Sequence, residues 1–211
     1  MINAVPVKKV LKKGEPPSSD PGERSIVIMQ DQSHPVTHVW FHTFAEASVL
    51  AEFMHLVATS PENAIIIIHL ANCGGSVHTG IQLLHNIELA LERGVRFELS
   101  VESPNYSMAS LFASKMLEMG VRVMFGSFSY LMFHDYATYL HGKGHEITAM
   151  LEADKRLIRD FFLSCCKILF TRKEVDAILE GKDCYLTPKE IGERLQKHNK
   201  KESDKEKGKK K

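Results

Sequence analysis

The sequence NYSMASLFASKMLEMG, residues 105–120, decides how the rest of the chain is interpreted. It follows a run of β-forming residues at 95–101, which predicts a strand that begins after Gly94. From Ser107 onward the residues favour a helix that ends at Gly120, the usual position of a C-terminal cap. Ser107 therefore lies where a helix begins, and the free N–H groups there favour negative charge. Its hydroxyl is either a helix cap, the commoner role, or a nucleophile beside an oxyanion.

The segments on either side of this stretch alternate between predicted strands and helices. The predicted strands are residues 25–29, 39–42, 64–70, 95–101, 121–125 and 130–133. The predicted helices are residues 44–58, 79–93 and 146–170, together with the one that follows Ser107. This alternation is typical of an α/β fold with a mainly parallel sheet, right-handed crossovers and helices outside the sheet.

Length and composition narrow the class of protein. The chain has 211 residues and a net charge of +1. This length corresponds to one domain with tails, and it suffices for an apolar core without metal or disulfides. The near-neutral charge gives no support to nucleic-acid binding. The four cysteines lack C-x-x-C spacing, which favours reduced thiols in a cytoplasmic protein. No apolar run reaches the length of a signal peptide or a membrane span, so we expect no membrane association.

The composition changes near both ends of the chain. Residues 1–24 combine lysines with a run of prolines and glycines, which predicts a flexible N-terminal segment. Residues 197–211 are almost entirely charged or polar. They cannot bury enough apolar surface to fold, so a disordered charged tail is predicted. The sequence therefore predicts one folded domain over residues 25–196.

Three further positions are candidates for chemistry, each with a plainer alternative. Gly74 and Gly75 follow a predicted buried strand and suit either an ordinary turn or a close backbone approach. Neither nucleotide-binding glycine pattern is present. His134 ends a predicted strand, where a lone histidine is more often structural, and Asp183 suits a loop between helices. The sequence contains no compact cluster with metal-ligand spacing, so no metal is predicted.

Six segments together resemble, in order and at similar separations, the proteolytic subunit of the Clp protease. That family consists of self-compartmentalised serine peptidases with the crotonase-like fold, built from stacked ββα units with a protruding handle helix. The matching segments are GERS at 22–25, IIIIHLANCGGSV at 65–77, SMA at 107–109, LMFH at 131–134, HGKG at 141–144 and DCYLTPKE at 183–190. The resemblance spans about residues 22–197.

The resemblance implies a Ser-His-Asp triad. Ser107 would attack a peptide carbonyl, and His134 would take its proton and return it to the leaving amine. Asp183 would fix the tautomer of the imidazole and stabilise the imidazolium. Ser110, one helical turn further on, is the alternative hydroxyl. Asp135 follows His134 directly and is not expected to orient it, since adjacent side chains on a strand face opposite ways.

The resemblance also implies how a substrate binds. The backbone N–H groups of Gly75 and Met108 would form the oxyanion hole, and Ser76 and Val77 would pair with an extended substrate as an added strand. The implied function is a serine endopeptidase for extended or unfolded polypeptides inside a homo-oligomeric, heptameric ring. No cofactor is implied, and ATP would enter only through an AAA-type unfoldase partner.

The chain departs from the family pattern at several positions. Asn105 and Tyr106 stand where the family has small residues, and Tyr136 replaces a proline. Gly181 and Lys182 replace an acidic residue and an arginine that help to link two rings, so the resemblance implies a heptameric ring and leaves open whether two rings stack. These differences leave two alternatives: a catalytically inactive subunit of the same fold and a crotonase-type acyl-CoA enzyme. A maturation peptidase of the bacteriophage type is a variant of the first choice.

Overall fold

The computed structural model describes residues 26–30, 36–44, 50–138 and 140–209. The predicted flexible segment at residues 1–24 lies outside this range. Within the described residues the strands are β1 (Ile26–Gln30), β2 (Val36–Phe41), β3 (Ile65–Leu70), β4 (Arg96–Val101), β5 (Pro104–Tyr106), β6 (Arg122–Phe125), β7 (Tyr130–Phe133) and β8 (Cys184–Leu186). The helices are α1 (Ala51–Thr59), α2 (Val77–Glu92), α3 (Met108–Glu118), α4 (Gly144–Cys166), α5 (Arg172–Leu179) and α6 (Pro188–Lys209).

The strands form two sheets. The larger has the order β1-β2-β3-β4-β6, in which β2, β3, β4 and β6 are parallel and β1 is an antiparallel edge strand. The smaller has the order β5-β7-β8, with β5 parallel and β8 antiparallel to β7. The predicted α/β architecture with a mainly parallel sheet is confirmed.

Helix α3 lies at the centre of the molecule. It contacts α2, α4, the larger sheet and the smaller sheet. Its residues are small or apolar almost all round, and those from Met108 to Ser114 are buried. A helix with apolar residues on every side is stable only where it is surrounded by protein. The N-terminus of α3, where Ser107 lies, is therefore held by packing on several sides.

Two predicted elements differ most from the structure. The predicted helix at residues 44–58 begins only at Ala51, because Phe44 instead forms a parallel bridge with Gly75 and packs its ring against Phe41 and Phe112. The predicted disordered tail at residues 197–211 is wrong up to Lys209, because α6 continues through it. Lysine and glutamate, which favour helices, are common in this segment, Lys205 pairs with Glu202 three residues earlier, and residues 199–205 are exposed.

Among the described residues, no helix combines the length and the apolarity that crossing a membrane requires.

Candidate active site

Ser107 lies in a sharp turn between β5 and α3. Its backbone adopts φ 56° and ψ −125°, a conformation that side-chain-bearing residues rarely adopt and that costs about 1–3 kcal/mol. The Ser107 N–H donates to the Met132 carbonyl at 2.9 Å, and its own carbonyl accepts the N–H groups of Ser110 and Leu111. The hydroxyl makes no capping hydrogen bond. The commoner role of a serine at a helix start, a side-chain cap, is therefore not the one seen here.

Ser110, the alternative hydroxyl, is fully buried and already engaged. Its Oγ donates to the Asn105 carbonyl and accepts from the Met132 N–H, both at 2.9 Å. A hydroxyl that bridges two buried backbone groups is structural. Ser107 is thus the serine that remains reachable at this turn.

The glycine loop that joins β3 to α2 packs directly against Ser107. Gly74 has φ 94°, and a Cβ atom there would lie 2.8 Å from the Ser107 Cβ and 2.7 Å from the Tyr106 carbonyl oxygen. Gly75 has φ 137°, and its Cβ would collide with the Phe44 backbone. Only glycine fits at either position, because both the positive φ and the close contact exclude a side chain.

The two predicted oxyanion donors carry no competing acceptor. Within the described residues, neither the Gly75 N–H nor the Met108 N–H donates a hydrogen bond. Gly75 is exposed, and Met108 is the first residue of α3, whose N–H has no partner inside the helix. A Cβ atom at Gly74 would also lie 3.2 Å from the Met108 nitrogen. The Gly75 loop, Met108 and Ser107 are therefore immediate neighbours.

Ser76 and Val77, the predicted substrate-binding residues, lie where the glycine loop passes into α2, and their pairing with a substrate stays a prediction. Ser76 caps α2, since its hydroxyl accepts the Thr79 N–H, and Val77 is the first helical residue. The Ser76 N–H is also taken by the Phe44 carbonyl, at 2.6 Å. Serine is a favoured N-cap residue, so the helix begins earlier than the predicted start at residue 79.

His134 and Ser107 follow neighbouring parallel strands. Tyr106, the last residue of β5, lies opposite Met132 of β7, so Ser107 and His134 both come just after the carboxyl ends of this pair. His134 is half-buried. The parallel pairing thus brings the predicted nucleophile and the predicted base to one edge of the smaller sheet.

Asp183 reaches the same edge from the other side of β7. Phe133 pairs with Cys184 in the antiparallel ladder, so His134, which follows the first, and Asp183, which precedes the second, come next in register. Asp183 is exposed. Within the described residues no hydrogen bond or ion pair joins any two of the three triad candidates. Catalytic hydrogen bonds are often long before substrate binds.

Tyr106 belongs to an aromatic cluster that the sequence did not reveal. Its hydroxyl is hydrogen-bonded to that of Tyr130 at 2.6 Å, and the Tyr130 ring makes an edge contact with Tyr185. The hydrogen bond with Tyr130 and partial burial raise the pKa of Tyr106. Tyr106 therefore lies along the half-exposed face of the smaller sheet and does not fill the core. These tyrosines lie far apart in sequence, and only the strand register could have shown their contact.

Two other features border the site. Cys73 is exposed and directly precedes Gly74 in the glycine loop. A cavity of about 640 Å³ lies between residues 135–138 and helices α4 and α5, and charged and apolar side chains line it. Asp135 is one of them, and its carboxylate accepts the Tyr136 N–H. The residues that directly follow His134 therefore line part of this cavity.

Comparisons with protein-family models and with curated protein sequences found no match. Among the described residues, no group of three or more histidine, cysteine and carboxylate side chains could hold a metal ion.

Proposed function

We propose that the protein is a serine endopeptidase that hydrolyses peptide bonds in extended or unfolded polypeptides through Ser107, His134 and Asp183. The strained turn at Ser107 is the observation that carries this proposal. A serine at φ 56° between a strand and a helix, with its hydroxyl uncapped, has the geometry of a nucleophile on a sharp strand-to-helix turn. Strain of this kind persists where function requires it.

The proposed reaction has two steps. The Ser107 hydroxyl attacks the peptide carbonyl while His134 takes its proton, and His134 then protonates the leaving amine. Water, activated by the same histidine, releases the acyl group from the serine. Asp183 stabilises the imidazolium form of His134 during both steps.

The N–H groups of Gly75 and Met108 are suited to the negative charge that develops on the carbonyl oxygen. Both are free of other acceptors among the described groups. Met108 directly follows Ser107, and Gly75 directly follows Gly74, which packs against Ser107. One such donor is typically worth about 10²–10³ in rate. The positive end of the α3 dipole adds to the same effect.

The proposal includes the crotonase-like fold of the Clp protease subunit and a homo-oligomeric ring, with a heptamer as the expected form and an AAA-type unfoldase as the expected partner. It rests on the six ordered segments described above. Ser107 and Gly75 are accessible in a single chain. Enclosure in a ring would restrict access to polypeptides that enter unfolded.

A catalytically inactive subunit of the same fold is the second candidate. Two observations favour it: Asp183 is exposed, and within the described residues none of the three triad candidates is hydrogen-bonded to another. Such a subunit would have a structural or regulatory role in an assembly.

Labelling with a fluorophosphonate probe separates these candidates. We expect the wild-type protein to be labelled, and Ser107→Ala and His134→Ala to lose labelling. Ser127→Ala is the matched control, since Ser127 is an exposed serine in the turn between β6 and β7. The assay uses the fraction that sizing shows to be assembled. Absence of labelling there would favour the inactive subunit. Turnover of an acyl-CoA thioester that survives Ser107→Ala would instead favour a crotonase-type enzyme.

A further inference from the structure

Two buried asparagines lie between the segments that form the candidate active site. Asn72 is 1% exposed and Asn105 is fully buried. The backbone N–H of Asn72 donates to the Asn105 Oδ1 at 2.9 Å, and the Asn105 Nδ2 donates to the carbonyls of Ser103 and Leu70. The two residues thus join the end of β3 to β5 through side-chain hydrogen bonds in the core.

Asn72 holds the glycine loop. Its Oδ1 accepts the Gly74 N–H at 2.8 Å, and its backbone carbonyl accepts the Tyr106 N–H at 3.2 Å. Gly74 packs on Ser107, and Tyr106 precedes it in the chain. One residue therefore fixes both the loop that bears the Gly75 N–H and the strand that ends at the nucleophile.

Asn105 continues the connection toward β7. Its carbonyl accepts the Ser110 hydroxyl, and the Ser110 Oγ accepts the Met132 N–H. The Met132 carbonyl in turn accepts the Ser107 N–H. A continuous set of buried hydrogen bonds therefore links the glycine loop, the serine turn and the strand that precedes His134.

The Asn72 amide is not explained by stability alone. Its Nδ2 is buried and makes no hydrogen bond with any described group. A buried donor without a partner is costly, and an apolar side chain would avoid this cost. The oxygen of the same amide, in contrast, accepts the Gly74 N–H. An asparagine at this position is therefore best explained by its effect on where the glycine loop lies.

We infer that Asn72 and Asn105 are positioning residues that hold the Gly75 N–H at a fixed place beside Ser107. This inference rests on the proposed function. A displaced oxyanion donor weakens an interaction made in the transition state and leaves the binding of substrate largely unchanged. Loss of the Asn72 oxygen therefore lowers kcat and has little effect on KM.

The test is a graded series at residue 72. Asn72→Ala removes the acceptor for the Gly74 N–H. Asn72→Asp keeps an oxygen in the same place, but it replaces the unpartnered N–H groups with a second oxygen and adds a buried carboxylate near the oxyanion site. In Asn72→Ser, the serine hydroxyl can form the same hydrogen-bonded turn with the backbone more weakly. This variant takes the place of Asn72→Ala if the alanine variant does not fold. Asn86→Ala is the control, because the Asn86 side chain donates only to the Gln82 carbonyl of its own helix.

Three quantities are measured: the second-order rate of fluorophosphonate labelling at Ser107, kcat and KM for a peptide ester, and hydrogen exchange of the Gly74 amide. We expect Asn72→Ala to reduce the labelling rate and kcat by about 10- to 100-fold, less than the loss of a whole oxyanion donor, and to accelerate Gly74 exchange by tenfold or more. The control should stay close to wild type, and Asn72→Ser should lie between wild type and the alanine variant. Asn72→Asp should keep the slow Gly74 exchange of the wild type, because it retains the acceptor, whereas its buried carboxylate lowers the labelling rate.

Wild-type rates and unchanged Gly74 exchange in Asn72→Ala would overturn the inference. Equal acceleration of Gly74 exchange in the aspartate and alanine variants would do the same, since it would mean that the Asn72 oxygen does not hold the loop. Absence of labelling in the wild-type protein would instead contradict the proposed function. In that case the exchange of Gly74 across the series still decides whether Asn72 fixes the loop.

Discussion

At the scale of single residues, the positive φ of Ser107 leads to a prediction about stability that does not depend on the proposed peptidase activity. Glycine adopts φ 56° readily, whereas serine and alanine do not. Ser107→Gly should therefore be more stable than Ser107→Ala by about 1–2 kcal/mol, although both lack the hydroxyl. Urea unfolding of the two variants measures the difference. A glycine variant less stable than the alanine variant would mean that the turn is not strained.

Cys73 makes a second prediction at this scale. Burial raises the pKa of Cys166 to about 12 and also raises the pKa of Cys165 and Cys184. Because the thiolate is the reactive form, we expect a maleimide to modify exposed Cys73 first. A bulky group there would displace the glycine loop and reduce probe labelling of Ser107 by about tenfold or more.

Mass spectrometry after limited maleimide treatment identifies the modified cysteine. Cys73→Ser is the control, and its labelling at Ser107 should be unaffected by the maleimide. Equal modification of all four cysteines in the folded protein would contradict the burial described here.

At the scale of elements, the two turns at Gly75 and Gly120 give a matched comparison. Both glycines have positive φ, but Gly120 has no atom within 4 Å of its potential Cβ, whereas Gly75 lies against the Phe44 backbone. Gly120→Ala should cost about 1 kcal/mol for backbone strain alone. Gly75→Ala should cost about 2 kcal/mol or more and abolish probe labelling, because the loop must move.

Thermal or denaturant unfolding, together with labelling at Ser107, measures both effects. The comparison would fail if the two alanine variants lost equal stability, since the close contact of Gly75 would then have no energetic consequence.

Elements with a strong local pattern could be predicted from sequence, whereas α6 and the three-residue strands could not. The apolar run of β3 and the helix that follows Ser107 have strong local patterns, and both lie within a residue or two of their predicted bounds. In contrast, β5 and β8 have three residues each, too few for a periodicity to be visible. Their pairing with β7 comes from the tertiary fold. The predicted start of α2 lies two residues after Val77, its first residue, because the serine that caps the helix also suits a loop.

In the candidate site, too, some features could be predicted from sequence motifs and others depend on the tertiary fold. Ser107, the adjacent glycines, His134 and Asp183 were selected by a resemblance in motif order, and that selection stays a prediction. The register that gathers them at one edge of the smaller sheet requires β8, which no local pattern indicates. The buried amides of Asn72 and Asn105 carry no sequence signal either, since an asparagine in a loop and one in a core look alike.

At the scale of the whole molecule, one charged cluster joins three helices. Lys115 and Glu118 of α3 pair at 2.7 Å, Glu88 of α2 pairs with Lys115, and Lys167 at the end of α4 pairs with Glu118. Burial alone would raise the pKa of Glu118, but the hydrogen bonds from the two lysines outweigh it and hold this pKa below its ordinary value of 4.5. The cluster therefore couples helix packing to pH.

The predicted consequence is a loss of stability in acid. Since the folded state has the lower pKa, the contribution of Glu118 is fully present above about 4.5 and is lost as the pH falls through the folded value. Glu118→Gln should lower the unfolding free energy at pH 7 and flatten its decline below pH 4.5. Unfolding measured from pH 7 to pH 3 tests this. Glu52→Gln, at an exposed position on α1, is the control. Parallel curves for wild type and Glu118→Gln would contradict the prediction.

The place of β8 in the chain also has a consequence for protein synthesis. A chain leaves the ribosome from its N-terminus, and β8 follows β7 only after α4 and α5 have been made. A nascent chain would therefore carry the proposed serine and histidine long before the aspartate that completes them. Hydrolytic competence would arise only once nearly the whole domain had been translated. During that interval the nascent chain would not cleave other unfolded chains being made on the same messenger RNA.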